Sequence, residues 1–121
     1  MDQKEEYNLS GRWIFSEDFG VGNDLGVMEL IEKSGVLEGE LEFTETIEDE
    51  APFSIRLKVS GKRNGRGVKF EAISVLWLHA EEPMTYNLDC WEGIINPQGI
   101  IVGSSIDTEN VCGVFTLRRD E

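Results

Sequence analysis

Asn87, Asp89 and Trp91 stand two residues apart in NLDCWEG, and in an extended chain that spacing puts all three side chains on one face. An amide, a carboxylate and an indole on one surface are the make-up of a small-ligand site, in which a flat apolar platform carries a few fixed polar groups. Trp77 offers a second indole and Ser104 a hydroxyl. In that set the tryptophans would stack on a ligand, Asn87 and Ser104 would hydrogen-bond it, and Asp89 would accept from a donor. The competing arrangement makes Trp91 ordinary core and turns Asn87 and Asp89 to solvent, with Leu88 and Cys90 inside.

Other combinations offer less. Asp89 with Asp107 or Glu92 is a carboxylate pair of the kind used in acid–base catalysis, but nothing in the spacing singles it out. The chain has one histidine, His79. It lies away from any Ser or Cys placed to act as a nucleophile, so it forms no triad. Beside Glu81 and Glu82 it supplies too few ligands for a metal. Glu45 with Glu48-Asp49-Glu50 lacks the ligand spacing of a calcium loop. GVGNDLG, residues 20–26, has no helix after it and reads as a flexible loop rather than a phosphate cradle. No enzyme, cofactor or metal site is expected.

These side chains must be positioned by strands, because alternation is strong along the chain and helical periodicity is poor. VLEGELEFT (36–44) puts Leu37, Gly39, Leu41 and Phe43 on one face and Glu38, Glu40 and Glu42 on the other. FSIRLKV (53–59) alternates in the same way, with Arg56 and Lys58 outward. Ser34-Gly35, Asn64-Gly65 and Asn96-Pro97-Gln98-Gly99 mark turns. The marks divide the chain into strands near 11–18, 26–33, 36–45, 53–62, 67–78, 85–95, 100–107 and 111–119. With short loops throughout, the expected fold is all-β: an eight-stranded antiparallel up-and-down meander closed into a β-barrel. Residues 1–8 read as a poorly ordered tail and 9–121 as one barrel domain.

A two-residue turn at Asn64-Gly65 sets Lys58 opposite Glu71, and a loop near Asp49 sets Glu40 opposite Lys58 and Glu42 opposite Arg56. The turn at Pro97-Gln98 sets Trp91 opposite Ser104 and Asp89 opposite Ile106. In strand 2, either Met28 and Leu30 or Val27 and Ile31 face inward. In strand 5, Val68, Phe70 and Ala72 share a face from which Trp77 differs in parity. Either a bulge near Ala72–Ser74 brings Trp77 inward, or Trp77 faces outward. Cys90 and Cys112 fall on strands 6 and 8 with strand 7 between, about 10 Å apart and beyond disulfide reach. Two free thiols suit a reducing compartment.

The 121 residues make one domain. The net charge of −13 excludes a phosphate-neutralising surface and disfavours anionic membranes, so neither nucleic acid nor membrane is an expected partner. Seven acids crowd residues 38–50 and six bases residues 53–70, a contrast that cross-strand pairing explains. MDQKEEYN carries no apolar signal region. The chain therefore reads as cytoplasmic, or as one whose signal has been removed. In that light Asn8-Leu9-Ser10 is only a formal glycosylation sequon. From Ala72 to Leu78, and again in GIINPQGIIVG (93–103), both strand faces are apolar. Continuous apolarity there points to a homo-oligomer with Val75, Ile94 and Ile101 on the buried outer face.

Gly11-Arg12-Trp13, opening strand 1, resembles the Gly-x-Trp opening of the calycin superfamily, which includes lipocalins, fatty-acid-binding proteins and avidins. The resemblance implies that Trp13 plugs one barrel end beneath an arginine of the last strand, where Arg118 or Arg119 stands. We assign Arg118. Over residues 9–119 the chain is most similar to avidin and streptavidin. GVLEGELEF (35–43), SVLWLHA (74–80) and NLDCWEG (87–93) look like their strands 3, 5 and 6. That resemblance implies lumen positions for Asn87, Asp89, Trp91 and Trp77. It departs at IIVGSSI (100–106), which lacks a pocket tryptophan, and at Val114, Phe115 and Thr116, where avidins supply an aspartate. Without those groups biotin is not the expected ligand. The function expected is non-catalytic binding of a small, partly apolar ligand. The alternative is an interaction or structural module with a filled barrel and an apolar outer face on strands 5–7.

Overall fold

The structure, a computed structural model, describes residues 8–81 and 85–120. Residues 1–7 of the expected tail, and Glu82, lie outside the described residues. Eight strands follow one another in chain order. They are β1 (Gly11–Asp18), β2 (Gly22–Lys33), β3 (Val36–Ile47), β4 (Phe53–Asn64), β5 (Gly67–His79), β6 (Asp89–Ile95), β7 (Ile101–Asp107) and β8 (Cys112–Arg119). Each pairs antiparallel with the next and β8 returns to β1, closing the barrel. Closure gives every strand two partners and leaves no edge.

Inward positions follow the pleat. Trp13 and Phe15 of β1, Met28 and Leu30 of β2, and Leu37, Leu41 and Phe43 of β3 are buried. So are Ile55, Leu57 and Val59 of β4, Val68 and Phe70 of β5, Trp91 of β6, and Phe115 and Leu117 of β8. This settles strand 2 in favour of Met28 and Leu30, while Ile31 is exposed. Across the waist, Phe70 stacks on Trp91 with centroids 5.1 Å apart, Phe15 meets Trp91 edge-on at 6.3 Å, and Phe115 stands edge-on to Phe70 at 6.0 Å. Such aromatic pairs add about 0.5–1.5 kcal/mol each beyond their buried area. Side chains fill the middle of the barrel.

Two registers differ from the sequence expectation, each by the geometry of a turn. The β4–β5 turn centres on Gly65-Arg66, with Asn64 paired to Gly67, because Gly65 takes the positive φ of 61°. Lys58 therefore faces Ser74, and Glu71 faces Ser60. Glu40 opposite Lys58 and Glu42 opposite Arg56 hold as expected, the latter as an exposed 2.8 Å ion pair. On β5 the pairing steps over Ile73, and parity changes there. Ala72 is buried before that bulge, and Val75 and Trp77 turn inward after it. Trp77 thus reaches the interior, as a bulge near Ala72–Ser74 requires.

The second difference is at β6–β7. Asn96 Oδ1 accepts from the backbone N–H groups of Gln98 and Ile100, and Gly99 has φ 81°. This Asx-type loop brings Ile95 opposite Ile101. Trp91 then faces Ser105 and Asp89 faces Asp107. A one-residue slip moves every side chain to the other face, so Ser104 is outside opposite Glu92. Ile101, expected on the outer face, is 0% exposed in the core. Cys90 and Cys112 both flank Ile106, on opposite neighbouring strands, and are free.

One end is sealed by the N-terminal segment. Leu9 is buried, and its carbonyl accepts from Trp13 Nε1 at 2.9 Å. Its N–H donates to Glu32 Oε1 at 2.8 Å, and Arg63 Nη1 bonds the same oxygen at 2.9 Å. Arg119, not the exposed Arg118, lies over the Trp13 ring, 4.3 Å from its centroid. Arg119 also donates to the carbonyls of Ser10 and Asn8. Gly11 makes room for the Arg119 guanidinium. Gly11 has φ 134°, and a Cβ there would stand 2.8 Å from Arg119 Nη1.

Candidate functional site

The opposite end is different in kind. There the inward positions of β1, β2, β3, β6 and β7 are Glu17, Asp24, Glu45, Asp89 and Asp107, and all five carboxylates line one cavity of about 240 Å³. Phe53, Tyr86 and Asn87 share the lining, with Phe19, Val21, Ile47 and Val111 at the rim. No Lys, Arg or His lies among these residues. Strand alternation alone puts the acids here: Asp24 keeps the parity of Met28 and Leu30, and Glu45 that of Leu41 and Phe43.

Three of the acids have structural partners. Glu17 Oε1 accepts the Trp91 indole N–H at 2.7 Å, with Ser105 as a further donor. Burial raises the Glu17 pKa and these two hydrogen bonds oppose the rise. Gly113 leaves space for this group, since a Cβ there would lie 3.2 Å from Glu17 Oε2. Asp89 accepts a hydrogen bond from the Tyr86 hydroxyl. Burial, with the charges of Glu17, Asp107 and Glu45, pushes Asp89 up to about 7 despite that bond. Asp107 Oδ1 accepts the N–H groups of Glu109 and Val111, turning the chain into β8.

Asp24 and Glu45 remain, facing each other across β2 and β3. They hydrogen-bond to one another, and burial raises the pKa of both, while the bond from Asp24 opposes the rise at Glu45. Asp24 is only 2% exposed and holds its proton at neutral pH. Its Oδ1 has no hydrogen-bond partner among the described residues. A buried and a half-buried carboxylate in contact cannot both ionise cheaply, so one keeps the proton.

The residues singled out in the sequence distribute as follows. Asn87 and Asp89 line the cavity. Trp77 stands behind it, 5.2 Å from Phe53 and 6.5 Å from Tyr86 between ring centroids. Trp91 is 1% exposed core beneath the mouth, its indole N–H committed to Glu17. Ser104 is outside, and Ser105 holds the inward place. Of the proposed outer face, Ile94 is exposed, Val75 is half-buried against the core, and Ile101 is inside. Sequence reasoning missed Asp24, Glu45 and Tyr86 as site residues. For Asp24 the available signal was its parity with Met28.

No protein-family model matches the chain, and no curated protein matches it. Among solved structures it is similar to a redesigned β-barrel, mFAP1, in a structure with bound DFHBI. The TM-score is 0.64 at 12% identity, over 92% of this chain and 94% of that one. At that identity the likeness is one of fold, the closed eight-stranded antiparallel barrel.

Proposed function

We propose that the protein is a non-catalytic small-ligand-binding barrel that takes its ligand at the acid-lined end, its mouth. The observation that carries this reading is the cavity of about 240 Å³ at Asp24, Glu45, Phe53, Tyr86, Asn87 and Asp89, above an interior otherwise packed with aromatic side chains. A mixture of rings and a few oriented polar groups is what small-molecule sites use. The structurally similar barrel holds DFHBI, which supports binding as a use of this fold. The avidin-like character of Asn87–Gly93 agrees with a site at this end of β6. A ring of acids repels the carboxylate of biotin, so biotin is not the ligand. Native mass spectrometry of gently purified protein tests the reading. A reproducible added mass, lost in a Tyr86→Ala, Asp89→Ala double variant, supports it. A chain that stays bare against a metabolite panel contradicts it.

A second reading makes the outer wall the working surface. Exposed Ile94 and Val114 and half-buried Val102 surround Gly93 and Gly103 in a shallow hollow of about 740 Å³. If copies associate through this hollow, Ile94→Lys reduces the sedimenting species to 13.6 kDa. An unchanged sedimentation profile removes that reading.

A further inference from the structure

We infer that the ligand of the mouth is a small organic cation, a protonated amine on an apolar or aromatic body, with Asp24, Glu45 and Asp89 as its counter-charges. The inference rests on the ligand-binding reading above and names the chemistry of that site.

Four observations carry it. The lining holds five carboxylates and no cationic side chain. Three of those acids are engaged by the fold itself, through Trp91 and Ser105, through Tyr86, and through the turn into β8. Among the described residues the Asp24–Glu45 pair has no such engagement beyond itself, and Asp24, only 2% exposed, leaves its Oδ1 without a hydrogen-bond partner. An unsatisfied buried acceptor destabilises the free protein, and an N–H donor from a ligand removes that cost.

The other two observations set the size and nature of the cation. Among the described residues no three His, Cys, Asp or Glu side chains come together as a metal-ligand set. The carboxylates are spread around a cavity, which suits a cation with bulk. Phe53 and Tyr86 line the same space, with Trp77 behind them. Ring faces attract an ammonium group and accept an apolar body.

Charge balance gives the binding a pH signature. In the free protein the Asp24–Glu45 pair retains a proton, and Asp89 titrates near 7. An arriving ammonium supplies the positive charge and expels protons, so affinity rises with pH. The groups facing this exchange are Glu17 from β1, Asp24 from β2, Glu45 from β3, Tyr86 and Asp89 at β6, and Asp107 from β7. Glu50 adds its charge to Glu45 from the β3–β4 loop. β4 and β5 present Phe53 and Trp77, and β8 presents Gly113 beside Glu17.

Titration calorimetry with three probes of one shape tests this: 2-phenylethylamine, 2-phenylethanol and 3-phenylpropionate. The amine is expected to bind at least tenfold more tightly than the alcohol or the acid. Its affinity should increase about tenfold from pH 6 to pH 8 as Asp89 ionises. Asp24→Asn, checked for an intact fold by circular dichroism, should collapse the amine-to-alcohol ratio. Alcohol binding as tight as amine binding, or amine affinity that falls with pH, would overturn the cation assignment and leave the mouth standing as a neutral-ligand site. Failure of all three probes to bind would overturn the site as well.

Discussion

At the scale of single residues, the mouth trades stability for charge. Asp24 and Asp89 have folded pKa values raised above the ordinary carboxylate range. The folded state therefore holds more protons than the unfolded state above about pH 4. Their contribution favours the fold at low pH and turns against it as pH climbs through 7. Thermal unfolding should show a higher midpoint at pH 5.5 than at pH 8. Asp24→Asn should raise the pH 8 midpoint and flatten that slope, each kcal/mol being worth roughly 3–5 °C in a chain of this size. A midpoint that rises from pH 5.5 to pH 8 would contradict the assignment. Trp91→Phe removes the indole donor from Glu17 and should cost roughly 2–4 kcal/mol at neutral pH in a denaturant titration. The loss should be smaller at acid pH, where Glu17 is protonated. Asp89 and Asn87 were visible in the sequence through their spacing from Trp91. Asp24 was not, because its glycine-flanked setting reads as loop while the pairing carries β2 back to Gly22.

At the scale of elements, hairpin geometry decides which residues share the interior. Every strand was legible from alternation and turn residues, with ends within a few positions. The errors came at turns. The Asx-type loop at Asn96 lengthened the β6–β7 connection and exchanged Ser104 for Ser105, Ile106 for Asp107 and Val102 for Ile101. A sequence pattern with apolar residues on both faces of β7 could not resist that slip. The bulge at Ile73, by contrast, was signalled by the conflicting parity of Phe70 and Trp77. Glycine also shapes the wall. At Gly103 a Cβ would lie 2.0 Å from the Glu92 carbonyl oxygen, so β6 and β7 approach there as only glycine permits. Gly103→Ala should destabilise the fold by about 2–4 kcal/mol, read from the shift of a urea midpoint. At the sealed end, Arg119→Ala removes the cover of Trp13 and the donors to Ser10 and Asn8. We expect a loss of about 1–3 kcal/mol there, with Arg118→Ala nearly neutral because that side chain is exposed.

At the scale of the whole molecule, the meander sorts charge by end. Loops after β1, β3, β5 and β7 open at the mouth and carry Glu48, Asp49, Glu50, Glu81 and Glu109. Arg12, Arg63, Arg66 and Arg119 lie toward the sealed end. A net charge of −13 focused over a carboxylate-lined cavity steers cations inward, an effect that salt screens over about 10 Å at 0.1 M. The measured association rate of the amine probe should therefore fall with ionic strength more steeply than its dissociation rate changes. Composition alone told only against anionic partners; the fold concentrates part of the charge around one cavity. The most direct test of that claim is a nitrogen–proton correlation spectrum of labelled protein during titration with 2-phenylethylamine. Shifts confined to the mouth, at Asp24, Glu45, Asn87, Asp89, Gly113 and the Trp91 indole, are the predicted result. Shifts at the Trp13 end or along Ile94 and Val102, or an unchanged spectrum, would contradict it.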